Sequence, residues 1–159
     1  LRVSTDPVMV STVEALGANA TVVSFTELYS ALQTGVVDGA EQPAINYKAN
    51  AFNEVAPYMI LDGHQIGAFE IVITEDAWNN KLTDAQRECV TEASKYASDY
   101  CRSISEEAEA KAIEELKAAG CTIVDVEDKS AWQDACKSVM DSASADNAEL
   151  FQKIVDLGK

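Results

Sequence analysis

Four side chains suited to binding a small molecule stand at the ends of predicted β-strands in this 159-residue sequence: Arg2, Phe25, Gln42 and His64. Ligands of open α/β sheets bind outside the carboxyl ends of the strands, so the four residues are expected at one rim. A guanidinium can hold a carboxylate through two parallel hydrogen bonds, which a lysine cannot match. With an aromatic wall and two polar groups beside it, this set predicts a small-molecule site.

Each of these residues also has a simpler interpretation when it is taken singly. Arg2 is equally consistent with a surface ion pair, and His64 with an ordinary loop histidine. Their shared location at strand ends is what favours a binding site.

Signatures of enzymes and metal sites are missing from the sequence. It has no Gly-x-Ser-x-Gly elbow, no phosphate-binding glycine loop and no His-Glu-x-x-His pair. The acidic residues at 125, 127 and 128 lack the glycine and closing glutamate of a calcium loop. We therefore predict a non-enzymatic binding protein with no cofactor and no metal, and keep an enzyme using His64 as an alternative.

The four cysteines are predicted to have structural roles. Cys89 and Cys101 fall on one predicted helix, about 18 Å apart and beyond disulfide reach. Cys121 and Cys136 flank a strand and the start of a helix, so they form either a disulfide or two buried free thiols.

Charge and composition limit the partners. The chain carries 27 acidic and 12 basic residues, a net charge of −15, which argues against nucleic acid and anionic lipid. No run of about eighteen apolar residues occurs, so no membrane insertion is predicted. The negative net charge repels an anionic ligand, so such a ligand would need a local positive donor such as Arg2.

Predicted strands alternate with predicted helices, which indicates an α/β fold with a largely parallel sheet. The last helices are expected over residues 129–143 and 145–157. One helix should run from a Thr83 cap to a stop at Gly120, since neither Pro nor Gly interrupts it. It would reach about 55 Å and would join two lobes. The strands are predicted at 1–3, 21–25, 36–39, 56–63, 67–76 and 121–126.

The first 55 residues carry a pattern that resembles a known family. A strand with Arg2 is followed by Leu-Gly-Ala-Asn, Phe-Thr-Glu-Leu-Tyr-Ser-Ala-Leu-Gln-Thr-Gly, Val-Asp-Gly-Ala-Glu and an amide before proline. This pattern is similar to the extracytoplasmic solute-binding subunit of the tripartite ATP-independent periplasmic (TRAP) transporters. The resemblance continues through His64 and the long helix, so it covers essentially the whole chain.

That resemblance implies a periplasmic-binding-protein-like fold, with two α/β lobes hinged around a cleft and bridged by a long helix. It implies that Arg2 pairs with the ligand carboxylate, that Phe25 and Gln42 line the pocket, and that His64 lies near it. Gln42 stands where the family often has asparagine.

The function that follows from the resemblance is periplasmic capture of a small organic acid and its delivery to a TRAP membrane permease driven by an ion gradient. C4-dicarboxylates, sugar acids and other small carboxylates all suit one arginine with an aromatic wall. An extracytoplasmic sensor or scaffold of the same fold is the alternative.

Domain boundaries are also implied by the resemblance. Residues 1–67 and 108–159 would build the second ligand-binding lobe. Residues 68–107 would give a strand and a long-helix segment to a first lobe whose N-terminal remainder is absent, so the chain is expected to be a fragment. Such elements would expose apolar surface and an unpaired strand edge, which favours a homodimer or a domain swap.

Overall fold

A computed structural model describes residues 1–67 and 69–157 of the chain. Strands and helices alternate along it, with short 3₁₀ segments at Phe25–Glu27, Phe52–Glu54 and Ala145–Asn147 and a π-helical segment at Ala77–Lys81. The elements in chain order are β1 (Arg2–Val3), α1 (Pro7–Ala15), β2 (Thr21–Val22), α2 (Leu28–Gln33), α3 (Ala44–Ala49), β3 (Tyr58–Leu61), α4 (Asp84–Ala118), β4 (Thr122–Asp125), α5 (Ser130–Ala143) and α6 (Ala148–Leu157).

The described strands pair in two parallel ladders. β1 pairs with β2, with Arg2 opposite Thr21. β3 pairs with β4, beginning with Tyr58 opposite Thr122. An isolated bridge between Arg2 and Ala40 places the 38–42 segment on the free side of β1. The prediction of an α/β fold with parallel strands and a long helix is confirmed.

Two apolar clusters hold these elements together. The smaller one packs α1 against β1 through Val3, Met9 and Val13. The larger one packs one face of α2 and the C-terminal end of α4 against α3. Leu28 and Leu32 of α2 lie four residues apart and so share the helix face that is buried there. The buried members of the larger cluster are Leu28, Ala31, Leu32, Val37, Ala44, Tyr47, Phe52, Leu116 and Cys121.

The long helix α4 begins and ends at the residues that the sequence predicts. A capping box closes its start: the Gln86 backbone N–H donates to Thr83 Oγ1 at 3.3 Å, and the Thr83 N–H donates to Gln86 Oε1 at 2.9 Å. Gly120 follows its end with φ +91°, a backbone conformation that favours glycine. Its C-terminal part is tied to α3, because the Ala44 N–H donates to Glu109 Oε1 at 3.2 Å.

The predicted strand over 67–76 is wrong for this structure. Residues 69–74 have no regular secondary structure, and residue 68 lies outside the described residues. Phe69 and Ile71 are 99% and 95% exposed. Residues with strand propensity form a strand only beside a hydrogen-bonding neighbour, and the described chain places none there. The predicted strand over 36–39 is also wrong: this segment lies beside β1, but its pairing in the described chain is limited to the Arg2–Gly39 hydrogen bond and the bridge at Ala40.

All four cysteines are free thiols. Cys121 is buried and Cys136 half-buried, and burial raises the pKa of both. Of the two alternatives open for this pair, the structure has the free thiols. Cys89 and Cys101 are exposed on α4.

No helix in residues 1–67 or 69–157 is long and apolar enough to cross a membrane.

Candidate functional site

Arg2 is buried, yet the protein uses only part of its guanidinium. The residue is 5% exposed. Its Nε donates to the Val23 carbonyl at 2.9 Å, and its Cζ lies 5.9 Å from the centroid of the Phe25 ring. The terminal nitrogens Nη1 and Nη2 have no hydrogen-bond or ion-pair partner in the described chain. These two nitrogens are not among the buried unpartnered atoms of the described chain, so they can be reached from outside. A guanidinium that is held at Nε and offers two N–H groups at its open edge suits a bound carboxylate.

The position of Arg2 differs from the expectation in one respect. Arg2 lies within β1 itself rather than beyond its end, and its backbone N–H donates to the Gly39 carbonyl at 2.8 Å. Pairing on both sides of such a short strand holds the backbone of Arg2 in place. The side chain then extends to the Val23 carbonyl and the Phe25 ring.

Phe25 supplies an aromatic wall beside Arg2. It begins the 3₁₀ turn after β2 and is 42% exposed. Its ring meets the ring of Phe52 edge to face, with centroids 5.9 Å apart and an interplanar angle of 79°. Phe52 is 3% exposed and packs in the same way on Tyr47. This row of rings orients Phe25 while leaving one of its faces open.

Gln42 and His64 line one open groove of about 460 Å³. The groove lies between the 38–42 segment beside β1 and residues 57–62 around β3. Its volume is that of a small-molecule site. Apolar side chains make up much of its lining, and polar residues of the 38–42 segment and of the chain after β3, here called the polar rim, line it as well. The polar rim residues are Asp38, Glu41, Gln42, Asp62 and His64.

His64 is oriented by a neighbouring carboxylate. Its Nδ1 lies 2.8 Å from Asp62 Oδ1, and the two side chains are 22% and 14% exposed. Gly63 between them has φ +60°, a left-handed conformation that allows the chain to bring the two side chains together. The Nε2 atom has no hydrogen-bond partner among the residues described. His64 therefore has one ring nitrogen available to the groove.

Glu41 is a rim residue that the sequence analysis missed. It is half-buried, and its carboxylate has no hydrogen bond or ion pair with any residue in 1–67 or 69–157. Burial raises the pKa of Glu41, while the positive charges of His64 and Arg2 act to lower it, and burial dominates. Its position directly before Gln42 was the available signal. Its burial depends on the tertiary structure.

The structure brings the four predicted residues together as two neighbouring groups: Arg2 with Phe25, and Gln42 with His64. No hydrogen bond joins the two groups in the described chain. Phe52 connects them by packing, because it contacts Phe25 and also lines the groove. Glu41 connects them electrostatically, since it responds to the charge of both Arg2 and His64.

Metal binding finds no support in this part of the molecule. The residues that the structure describes include no group of three or more His, Cys, Asp or Glu side chains that could hold a metal ion. The arrangement instead offers a buried cation, an aromatic wall, an amide, an imidazole and a carboxylate, which suits noncovalent recognition of a small acid.

Comparison with known families identifies related proteins. Residues 1–147 match the bacterial extracellular solute-binding proteins, family 7. The C4-dicarboxylate-binding periplasmic protein DctP of Rhodobacter capsulatus is 31% identical over 89% of this chain and 43% of its own length. A solute-binding protein of Chromohalobacter salexigens is 30% identical over 99% of this chain and 46% of its own length. The chain thus spans about half the length of these curated relatives.

Solved structures of similar fold include proteins with bound sugar acids. A TRAP periplasmic solute-binding protein from Sulfitobacter sp. NAS-14.1, with β-D-galacturonate bound, is 31% identical with a TM-score of 0.79. The alignment covers 98% of this chain and 51% of that one. A corresponding protein from Pseudomonas putida F1, with D-glucuronate bound, is 30% identical with a TM-score of 0.83, over 96% of this chain and 49% of that one.

Proposed function

Because this chain belongs to the bacterial extracellular solute-binding proteins of family 7, we propose that it forms one wall of a cleft that captures a small organic acid for a TRAP permease. Its relatives and structural neighbours are periplasmic, and so is this protein. The observation that carries the proposal is the guanidinium of Arg2, a residue only 5% exposed, whose two terminal nitrogens have no partner in the described chain.

In the proposed complex, the carboxylate of the ligand accepts two parallel hydrogen bonds from Arg2. Phe25 packs against the apolar part of the ligand, and its contact with Phe52 keeps it in place. Gln42 and His64 bind the remaining polar groups from the rim of the groove. The relatives' ligands are compatible with this class, since the Rhodobacter relative is a C4-dicarboxylate-binding protein and the Sulfitobacter structure holds galacturonate.

We infer two lobes for the whole protein. Residues 1–67 and 108–159 would form the second lobe, and residues 68–107 would belong to a first lobe whose remainder lies outside these 159 residues. The exposure of residues 88–108 along α4 supports this division, as does the unpaired segment 69–74. Closure of the two lobes around the acid would present it to the permease, with the ligand carboxylate stabilising the closed state.

The exposed segment 69–74 also favours self-association when these 159 residues are present alone, as a homodimer or a domain swap. Ile71→Lys should then shift the chain toward monomer in light scattering after size-exclusion chromatography. Ile154→Lys is the matched control, because Ile154 is also exposed, at 59%, but lies on α6. A chain that is monomeric at every concentration tested would contradict this inference.

An enzyme using His64 is the weaker alternative, and the His64–Asp62 pair is the observation behind it. Cys136 borders a second cavity of about 330 Å³ together with His64. Burial raises the pKa of Cys136, however, whereas a nucleophilic cysteine needs a lowered one. We therefore propose a non-enzymatic role. Turnover of a bound acid that is lost in His64→Ala would overturn it.

A sensor or scaffold would bind the acid equally well and would lack only the transport step.

The test of the binding site is calorimetry on the full-length protein carrying Arg2→Ala, Arg2→Lys or Lys153→Ala. Loss of the guanidinium should weaken acid binding by about 2–4 kcal/mol, because a charge-assisted pair is removed. Arg2→Lys should weaken it less. Lys153 is an exposed cation of α6, in the proposed second lobe, and serves as the control for loss of a positive charge. Binding by Arg2→Ala at the parent affinity would show that the site is assigned wrongly.

A further inference from the structure

The groove runs between two strand edges that lack a partner. The described strands form two separate two-stranded sheets, β1 with β2 and β3 with β4. Residues 38–42 line the groove on one side and residues 57–60 on the other, whereas β4 contributes none of the residues that line it. Successive side chains of a strand point to opposite faces, so a groove that touches consecutive residues of both segments follows their edges and not a single face.

Backbone groups on the first of these edges are free to pair. The Arg2 N–H donates to the Gly39 carbonyl at 2.8 Å in a parallel bridge, which places the N–H and C=O of Ala40 on the side away from β1. Neither group of Ala40 has a hydrogen-bond partner in the described chain. Such an edge is a template for a further strand, because pairing satisfies its backbone groups.

Apolar side chains of both clusters line the groove between these edges. Val13 belongs to the smaller cluster, and Leu32 and Phe52 belong to the larger one. Tyr47 is 7% exposed and also lines the groove, and its hydroxyl is buried without a hydrogen-bond partner among the described residues. A strand placed here would be covered on both faces, so it should be apolar on both faces, and its backbone could offer Tyr47 an acceptor.

Residues 69–74 have the composition that this place requires. Their sequence, Phe-Glu-Ile-Val-Ile-Thr, is rich in β-branched residues, and residues 71–73 form a continuous apolar run. At about 3.3 Å per residue the segment spans about 20 Å when extended, which is long enough to pair along the whole 38–42 edge. The segment and the groove are therefore complementary in length, in apolar character and in backbone hydrogen bonding.

The segment does not occupy the groove of its own chain. After β3, Gly63 adopts φ +60°, and Gln65 lies at the second cavity of about 330 Å³, which α1 and α5 border. This path leads the chain away from the groove, and residues 69–74 are left exposed. A second copy of the chain is the source that can bring such a segment to the groove.

Resting on the self-association proposed above, we propose that the groove of one copy receives residues 69–74 of a second copy as an added strand when the 159 residues are present alone. The added strand pairs with the 38–42 segment on one side and with β3 on the other, and so joins the two sheets. Reciprocal exchange between two copies closes the assembly as a dimer. Arg2 and Phe25 are not among the residues that line the groove, so the exchange leaves the proposed carboxylate anchor in place.

The first experiment measures the dimerisation of the 159-residue chain by light scattering after size-exclusion chromatography. Ile60→Lys places a charge on β3 beside the groove, and Val124→Lys places the same charge at the paired position of β4. The two side chains are 55% and 50% exposed, so both variants should fold. Ile60→Lys should weaken dimerisation at least roughly tenfold, because the added strand would cover the ammonium group, and Val124→Lys should leave it unchanged.

A second experiment tests the groove without dimerisation, using a fluorescent peptide of residues 68–76. The anisotropy of the peptide should rise when the Ile71→Lys chain is added. The double variant Ile60→Lys/Ile71→Lys should bind the peptide at least roughly tenfold more weakly. A peptide of the same composition in scrambled order should bind neither chain.

The outcomes separate this proposal from the one on which it rests. Equal effects of Ile60→Lys and Val124→Lys, on a chain that does form dimers, would show that another surface receives the segment, while the self-association stands. A parent that is monomeric at every concentration would overturn both proposals. Joint protection of residues 58–61 and 69–74 from amide hydrogen exchange in that monomer would show that the segment fills its own groove.

Discussion

The two ends of α4 differ sharply in their surroundings. At the C-terminal end, Leu116 is fully buried in the larger apolar cluster, and Ala112 is 6% exposed. In the preceding stretch every residue from 88 to 108 is exposed, including Tyr96 and Tyr100, whose rings stack on each other with centroids 6.2 Å apart. Both ends carry apolar residues at helical spacing. The difference shows that spacing identifies a face suited for burial, while the neighbouring elements decide whether it is buried.

The largest effect should come from truncating one apolar side chain in the packed C-terminal part of α4 and one in its exposed preceding stretch. Leu116→Ala should destabilise the chain by about 2–5 kcal/mol, because it leaves a cavity in the core. Ile104→Ala, at a residue 43% exposed, should change stability by less than about 0.5 kcal/mol. Urea unfolding followed by circular dichroism measures both variants.

The same pair of variants tests the two-lobe proposal in the full-length protein. In the full-length protein, Ile104→Ala should lower the free energy of unfolding clearly if the first lobe covers this stretch of α4. Equal costs of the two variants in the 159-residue chain would contradict the contrast between the two ends. A negligible cost of Ile104→Ala in the full-length protein would contradict the lobe assignment.

A smaller effect is expected at the exposed start of α4. Thr83→Ala removes the capping box and should cost the helix about 1 kcal/mol. Because this end packs so little, the loss should appear as faster amide hydrogen exchange over residues 84–90 and not as a large change in melting temperature. Thr91→Ala is the matched control within the helix. If it accelerates exchange as much as Thr83→Ala does, the cap has no special role.

The smallest effect concerns the ion pair that joins α3 to the packed end of α4. Lys48 lowers the pKa of Glu115 below its ordinary value of 4.5. A lowered carboxyl pKa stabilises the fold above the unfolded value, and this contribution is lost as the pH falls through the folded value. Glu115→Gln should therefore be slightly less stable than the parent at pH 7, with the difference fading in acid. Both side chains are exposed, so the effect is small.

Denaturant titrations at pH 7 and in acid, with Glu114→Gln as the neighbouring control, measure this effect. A stability difference between the parent and Glu115→Gln that is the same at both pH values would mean that the ion pair does not contribute.

Much of the fold could be predicted because its signals are local. The cap at Thr83 and the stop at Gly120 each depend on residues within one turn of the helix end, and both are confirmed. The prediction for residues 67–76 failed because a strand depends on a neighbour that may lie anywhere in the chain or outside it. Local propensity was present there, but pairing was not.

The site shows the same division. Arg2, Phe25, Gln42 and His64 could be selected from residue type and from their places at or near predicted strand ends, and they lie in two neighbouring groups. Glu41 was not selected in this way, although it stands directly before Gln42, because residue type alone does not separate a half-buried acid from the many solvated ones. Its half-burial near Arg2 and His64 exists only once the 38–42 segment beside β1 and the end of β3 line the same groove.

By itself, then, the sequence determined the alternation of strands and helices, the bounds of the long helix, the family and the residue types available for binding. These follow from backbone hydrogen bonding and side-chain periodicity, which act over a few residues. Only the tertiary structure decided which groups lose water and which keep a partner. In the described chain, two terminal nitrogens of the buried residue Arg2 have no partner, the half-buried Glu41 has none, and residues 69–74 do not pair with a strand. The reason is that loss of water and hydrogen-bond pairing depend on residues that are distant in the sequence.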